Sequence, residues 1–304
     1  MQKYLFLLCF ILLIACKDSG KLVVIPDNNA PPYSATPSIL VESYVNRTFI
    51  DLVGREPTDA EMTAEVGLLK SANLSAESRQ NLIAKLQMST QPIVGDTSYK
   101  TAYHKRLYEQ FKTRFLEGAS ADDIQERRGP LEYQYELDSI AGNWADAAVV
   151  KAQIERLNDI ERSEFDLREG RIEVREVCAR MCNNDIYDFI NMNSFNYIRA
   201  TFNDLFGRYP TQEEFDQAFP VIENNQSGNV LGLSCSNKSE YIRILVDSRE
   251  FHEGMVRWAY FTLVQREPQS AEVATALQDF YSSRNLRKVQ ADIMATDEYA
   301  GFVK

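Results

Sequence analysis

Apolar residues recur at helical spacing over most of the chain. Tyr44, Thr48, Phe49 and Leu52 fall on one stripe of a helix, and such a stripe must face a core. It stops at Gly54, the residue type that ends a helix in the left-handed conformation. Arg55-Glu56-Pro57 then makes a stiff turn that cannot continue the helix. Thr58, with Glu61 three residues on, is a capping box that starts the next helix. The unit is therefore helix, Gly-Arg-x-Pro corner, helix.

The same order returns twice. The second copy carries Tyr197, Phe202, Asp204, Leu205, Gly207, Arg208, Pro210, Thr211 and Glu214 at the offsets of Tyr44, Phe49, Asp51, Leu52, Gly54, Arg55, Pro57, Thr58 and Glu61. The third is looser: Tyr260, Leu263, Arg266, Pro268 and Glu272 keep their places, while the Asp and Gly are lost. Each unit closes with an amphipathic stretch and a Ser or Thr stop. These are Ser78–Met88 then Ser89, Glu240–Val246 then Ser248-Arg-Glu-Phe251, and Leu286–Met294 then Thr296-Asp-Glu-Tyr299. Asp51, Arg55, Pro57, Asp204, Arg208, Pro210, Arg266 and Pro268 invite a reading as a site. Bracing of the corner explains them, with each Arg capping carbonyls or pairing with an acidic neighbour.

Between the first two copies lies a charged helical stretch. Tyr99–Glu117 carries Tyr103, Tyr108, Phe111 and Phe115, and His104 reads as a surface or rim histidine. Gly129-Pro130 predicts a break. From Leu131 to Cys182 helix formers and Glu/Arg pairs predict a long solvated helix or hairpin, marked by Trp144, Val150, Ile154, Leu157, Phe165, Leu167, Ile172 and Val177. Glu223–Asn237 reads as a surface loop. The predicted architecture is all-α: three related helical units at 39–95, 183–251 and 252–304, with an inserted helical arm at 96–182.

The first residues read differently. After a polar start, Leu5–Ala15 is almost continuously apolar but too short to span ~30 Å of hydrocarbon, the mark of a signal peptide over 1–15. Leu13-Ile14-Ala15-Cys16 resembles a bacterial lipobox, which implies cleavage before Cys16 and lipidation of that cysteine. Lys17 stands where an Asp would retain a lipoprotein in the inner membrane, so the outer membrane is expected. Lys17-Asp18 also resembles part of the surface-export signal of Bacteroidota lipoproteins. Pro26, Pro31, Pro32 and Pro37, with Asn28 and Asn29, make 16–38 an extended tether.

Outside the cytoplasm a disulfide is permitted. Cys178 and Cys182 are one helical turn apart, with Cβ atoms expected about 5–6 Å from each other against the ~3.8 Å of a disulfide. The expected bond is therefore Cys182–Cys235, with Cys178 as the alternative partner.

Charge and composition narrow the function. A formal net charge of −11 argues against a nucleic-acid partner. Two histidines leave little for His-based metal or triad chemistry. Gly232-Leu-Ser234-Cys-Ser236 approaches G-x-S-x-G but lacks the second Gly and a preceding strand. His252-Glu253 opens like H-E-x-x-H, but Val256 fills the second His position. No catalytic residue, metal ligand or cofactor is assigned from the sequence.

The Tyr…Asp-Leu-x-Gly-Arg-x-Pro corner resembles a bacterial helical repeat of unknown function that is similar to phycobilisome-linker domains. It also resembles a Phe-Asp-Leu-x-Gly-x-x-Pro-Thr module of planctomycete cytochrome-associated proteins, whose haem motif is absent here. The resemblance implies a helical fold and a binding or scaffolding function. The expected role is an accessory subunit of an envelope complex, anchored by its lipid and binding other envelope proteins. The alternatives are a surface glycan binder using Trp144, Trp258 and tyrosines, and a hydrolase with an unrecognised site.

Overall fold

The computed structural model describes Tyr33 and residues 36–302. The signal segment, Cys16 and most of the 16–38 tether lie outside them. The fold is all-α: fifteen helices and one two-stranded ribbon among the described residues. The first unit is α1 (Ser38–Val53), α2 (Asp59–Ser71) and α3 (Ala76–Met88). Then come α4 (Tyr99–Leu116), α5 (Ala121–Ala141), α6 (Trp144–Arg168), α7 (Val174–Cys182) and α8 (Asp185–Asn191). The second unit is α9 (Ser194–Phe206), α10 (Gln212–Asn224), the ribbon β1 (Gly228–Val230) and β2 (Leu233–Cys235), and α11 (Lys238–Asp247). The chain ends with α12 (Arg249–Val264), α13 (Ser270–Ser283), α14 (Leu286–Met294) and α15 (Asp297–Ala300).

Side-chain caps mark where these helices begin. Thr58, Ser98, Ser120, Thr211, Ser248 and Thr296 each accept from a backbone N–H in the first turn. Gly54 and Gly207 end α1 and α9 at φ 79° and 74°, the left-handed geometry expected of them. In the third copy Gln265 takes the same conformation, at φ 57°.

The packing reveals a duplication larger than the three predicted units. In the first half α1 packs on α2, α3 and α4, and α4 packs on α3, α6 and α7. In the second half α9 packs on α10 and α12, and α12 packs on α11, α13 and α14. The halves then exchange contacts: α7 lies on α11, and α14 lies on α3. The sequence follows the same equivalence. Val174, Val177, Met181, Asn184 and Tyr187 fall at the spacing of Leu286, Val289, Ile293, Thr296 and Tyr299. Tyr103-His104 matches Phe251-His252, and each histidine Nδ1 sits on the carbonyl four residues back, at 2.7 and 2.8 Å.

The region 96–182 is thus not wholly an arm. Helices α4, α7 and α8 belong to the body, as counterparts of α12, α14 and α15. Only α5 and α6 depart from the plan: they stand as a long antiparallel hairpin where the second half has the single helix α13. One continuous buried cluster runs through all of this. Gly254 permits the close crossing of α12 and α9, since a Cβ there would run into the Leu205 carbonyl.

Two local expectations fail. Pro130 does not break the chain but lies inside α5. Its ring is exposed, and α5 is held on both sides of it along α6, so the lost hydrogen bond falls on the solvent side. The segment 223–237 is not a plain loop, and a short strand does precede Ser234. Gly228–Val230 pairs antiparallel with Leu233–Cys235, turned by Leu231 and Gly232 at positive φ. Gly228 is packed so closely on Val221 that a side chain would collide.

Candidate functional site

The three corners are built alike. Arg55 donates to both carboxylate oxygens of Glu61, at 2.8 and 2.7 Å, and to the Glu56 carbonyl. Arg208 grips Glu214 at 2.7 Å twice and the Tyr209 carbonyl. Arg266 holds Glu272 and the Glu267 carbonyl in the same way. The glutamate is also the reciprocal partner of the capping box in all three. Pro57, Pro210 and Pro268 stand at the turn between the Arg and its cap. One bidentate pair thus locks the exit of one helix to the entry of the next.

The corners differ in their second partner. Arg208 also binds Glu250, and Arg266 binds Glu298, both on the closing Ser/Thr-x-Glu segment. In the first corner that role falls to Tyr99, whose hydroxyl donates to Glu61 at 2.6 Å. Burial raises the Glu61 carboxyl, but Arg55, Tyr99 and Thr58 outweigh it and hold it at about 2. Arg208 leads in holding Glu214 at about 2 as well.

Asp51 and Asp204 do not join the corner arginines. Asp51 accepts from Tyr299 at 2.7 Å, and Asp204 accepts from Tyr187 at 2.7 Å. Burial raises both carboxyls, and the tyrosine hydrogen bonds oppose it. Each tyrosine comes from the short last helix of a half: α8 onto α9, and α15 onto α1. The C-terminal segment therefore closes onto α1. Arg47 of α1 reinforces this by donating to the carbonyls of Leu263 and Tyr299. Tyr33, at the end of the tether, donates to Asp297 at 2.6 Å and so starts the body beside the same segment.

The expected disulfide is absent. Cys178, Cys182 and Cys235 are all free and buried. Cys182 sits under Tyr197, whose hydroxyl donates to the Cys182 carbonyl at 2.9 Å. Tyr197 packs on Tyr241, which has both Cys182 and Cys235 near its hydroxyl. Burial pushes the Cys178 thiol up to about 12, far from a reactive thiolate. His104 is buried too, neither on the surface nor at a rim, and burial lowers it to about 4.

The α5–α6 hairpin is a surface feature of unusual character. Its root is tied down. Ile124, Leu157 and Ile160 are buried, Arg128 binds Asn158 and Glu161 across the limbs, and Arg127 pairs with Asp185 of α8 at 2.9 Å. Its free end is different. Tyr133, Leu137 and Ile140 recur along one face of α5 and are all exposed, Ile140 at 85 %. Trp144 at the start of α6 is 69 % exposed, and Val149 is exposed on the same limb. Residues 131–151 carry Glu132, Glu136, Asp138 and Asp146 against Lys151 alone. By contrast Trp258 stacks on Phe111 at 5.4 Å with Arg114 against it.

Sequence reasoning named Trp144 but missed Tyr133, Leu137 and Ile140. Their i, i+4, i+7 spacing was visible, but an apolar stripe looks the same whether a core covers it or not.

Among the described residues no cluster of three or more His, Cys, Asp or Glu side chains could hold a metal ion, and no helix is long and apolar enough to cross a membrane. No family model, no curated protein and no solved structure matches the chain.

Proposed function

We propose that the protein is a lipid-anchored accessory subunit of an outer-membrane complex, and that it docks a partner protein through the free end of the α5–α6 hairpin. The observation that carries the reading is the exposed stripe of Tyr133, Leu137 and Ile140, with the exposed Trp144 just past the turn, on an arm whose root is tied to the body. A helical hairpin is free to bury such a stripe in its own seam or core. Here large apolar side chains are left in water, which is the mark of an interaction surface. They form a convex ridge, suited to a groove or flat face of a protein. The acidic rim calls for a basic rim on the partner. The same acidity disfavours a second copy of the arm and an anionic lipid surface.

The lipobox-like Leu13–Cys16 and the proline-rich tether supply the membrane anchor in this proposal. The duplicated body acts as the rigid frame that presents the arm. The glycan-binding alternative draws less support, because Trp258 is stacked within the body and Trp144 stands on a convex tip.

Native electrophoresis of the full lipoprotein, solubilised in mild detergent from its own envelope, tests the proposal. The wild-type chain is expected to migrate in an assembly larger than itself. The double variant Ile140→Ser, Trp144→Ser is expected to migrate alone, with unchanged helicity and melting temperature. A wild-type chain that migrates alone, or a variant that stays in the assembly, contradicts the proposal.

A further inference from the structure

A cavity of about 410 Å³ opens where the two halves meet. It lies between the first turns of α4, the turn joining α6 to α7, and the start of α14. Its inner wall is apolar, with Tyr103, Leu107 and Leu286 all buried. Its size is within the range of small-molecule sites, ~300–1,000 Å³.

The charges around it do not balance. Glu169 is taken by Arg168 and Glu173 by Arg175. That leaves three half-buried cations on the wall, Lys100, Arg284 and Arg287. None of them has a carboxylate partner among the described residues. Arg284 instead points a guanidinium nitrogen at the neutral His252, 2.7 Å from Nε2, and Arg287 meets the thioether sulfur of Met88. Helix α14 starts at the same place with no acidic residue in its first turn. Its positive end adds to the surplus. Half-buried like charges without counter-charges are costly, and in a chain of net charge −11 acidic partners are plentiful.

His104 adds a different group. Its Nδ1 is 2.7 Å from the Lys100 carbonyl. A carbonyl only accepts, so Nδ1 carries the proton and Nε2 presents a lone pair. That Nε2 has no hydrogen-bond partner among the described residues, and His104 lines the cavity. The wall therefore offers three cations and one neutral acceptor. A carboxylate satisfies only the cations. A phosphate monoester in its monoanionic form satisfies both, because its oxygens accept from Lys100, Arg284 and Arg287 while its P–OH donates to His104.

We propose that this inter-half cavity binds the phosphate-monoester group of a small organic molecule, using Lys100, Arg284 and Arg287 as anion ligands and His104 Nε2 as the acceptor. The organic part lies against Tyr103, Leu107 and Leu286. Because the ligand touches both halves, it would hold α14 against α4. This reading is independent of the arm's free end, none of whose exposed side chains lines the cavity.

Isothermal titration of the full-length protein in a neutral detergent tests it. The probes are inorganic phosphate, glucose 6-phosphate, micelles doped with phosphatidic acid, and citrate at matched ionic strength. Saturable binding of glucose 6-phosphate identifies a soluble ligand class. Binding of phosphatidic acid alone identifies a lipid headgroup with the same chemistry. Arg287→Gln is expected to weaken binding of the responding phosphate probe by about 10-fold or more. It removes a repelled charge, so folding is expected to survive. The His104 imidazole resonances of the wild-type protein provide a second readout, and they are expected to move on titration with that probe. Three results would overturn the proposal: no saturable phosphate binding, citrate binding more tightly than every phosphate probe, or binding unchanged in Arg287→Gln with His104 unmoved.

Discussion

The two places where the halves interlock follow one plan in different chemistry. Where α14 lies on α3, the contact is polar. Tyr103 donates to the Gln290 side chain at 2.6 Å, and Gln87 donates to the Arg287 carbonyl at 3.1 Å. Where α7 lies on α11, the corresponding positions are Phe251, Cys178 and Val246, all buried and apolar. The same helix packing is thus stabilised once by a buried hydrogen-bond network and once by shape and burial. The polar version restricts register, because a slip leaves buried groups unpaired. The apolar version tolerates small shifts. Beside the polar interlock lies the cationic cavity; beside the apolar one the thiols are sealed under tyrosines.

The largest effects are expected at the closing tyrosines, which both halves share. Tyr299→Ala and Tyr187→Ala each remove a buried ring and the tyrosine hydrogen bond of an aspartate. Each should lose about 3–5 kcal/mol in urea unfolding. A large loss at one and a negligible loss at the other would break the equivalence of the halves.

The interlocks come next. Gln290→Leu strands the Tyr103 hydroxyl and should cost about 1–3 kcal/mol. Replacing the whole polar set, as Gln87→Val, Tyr103→Phe and Gln290→Cys together, copies the apolar interlock and should recover most of that loss. If the triple variant is as unstable as the single one, the network is not what distinguishes the two junctions.

Acid separates the corners from the interlocks. Glu61 and Glu214 titrate at about 2 in the folded chain, against 4.5 for an ordinary glutamate. Their folded values are depressed, so their contribution is fully present above pH 4.5. It is lost as the pH falls from 4.5 towards about 2. Melting temperature followed over that window should fall for the wild type, and less steeply for the Glu61→Gln, Glu214→Gln double variant. Equal slopes would remove these pairs from the account.

The smallest effect on stability is expected at the arm. Ile140→Ser changes an exposed side chain and should shift unfolding by no more than about 0.5 kcal/mol. Its effect belongs to binding alone.

Much of this frame is local and so legible in the sequence. Gly54, Arg55, Pro57, Thr58 and Glu61 act within one turn of each other, and their spacing was enough to place the corners. The Arg–Glu pairing follows from the same spacing, kept in all three copies. The role of Asp51 was not legible, because Tyr299 lies at the other end of the chain. The α4 counterpart of α12 was hidden for another reason. After α4 its corner has lost Arg and Pro, leaving Gly118-Ala119-Ser120, and its middle helix has grown into the hairpin. The match of α7 to α14 lies only in the spacing of buried side chains. The cysteine pairing failed because helical geometry excludes a bond between neighbours but says nothing of what lies between Cys182 and Cys235.

In the proposed assembly the arm's free end meets a protein in the envelope. Site-specific photo-crosslinking in intact cells tests it most directly, with a photoreactive residue placed at Ile140 and, as a control, at the exposed Leu233 of the ribbon. The account predicts one discrete protein adduct from position 140 and none from position 233. No protein adduct from position 140, or the same adducts from both positions, would contradict it.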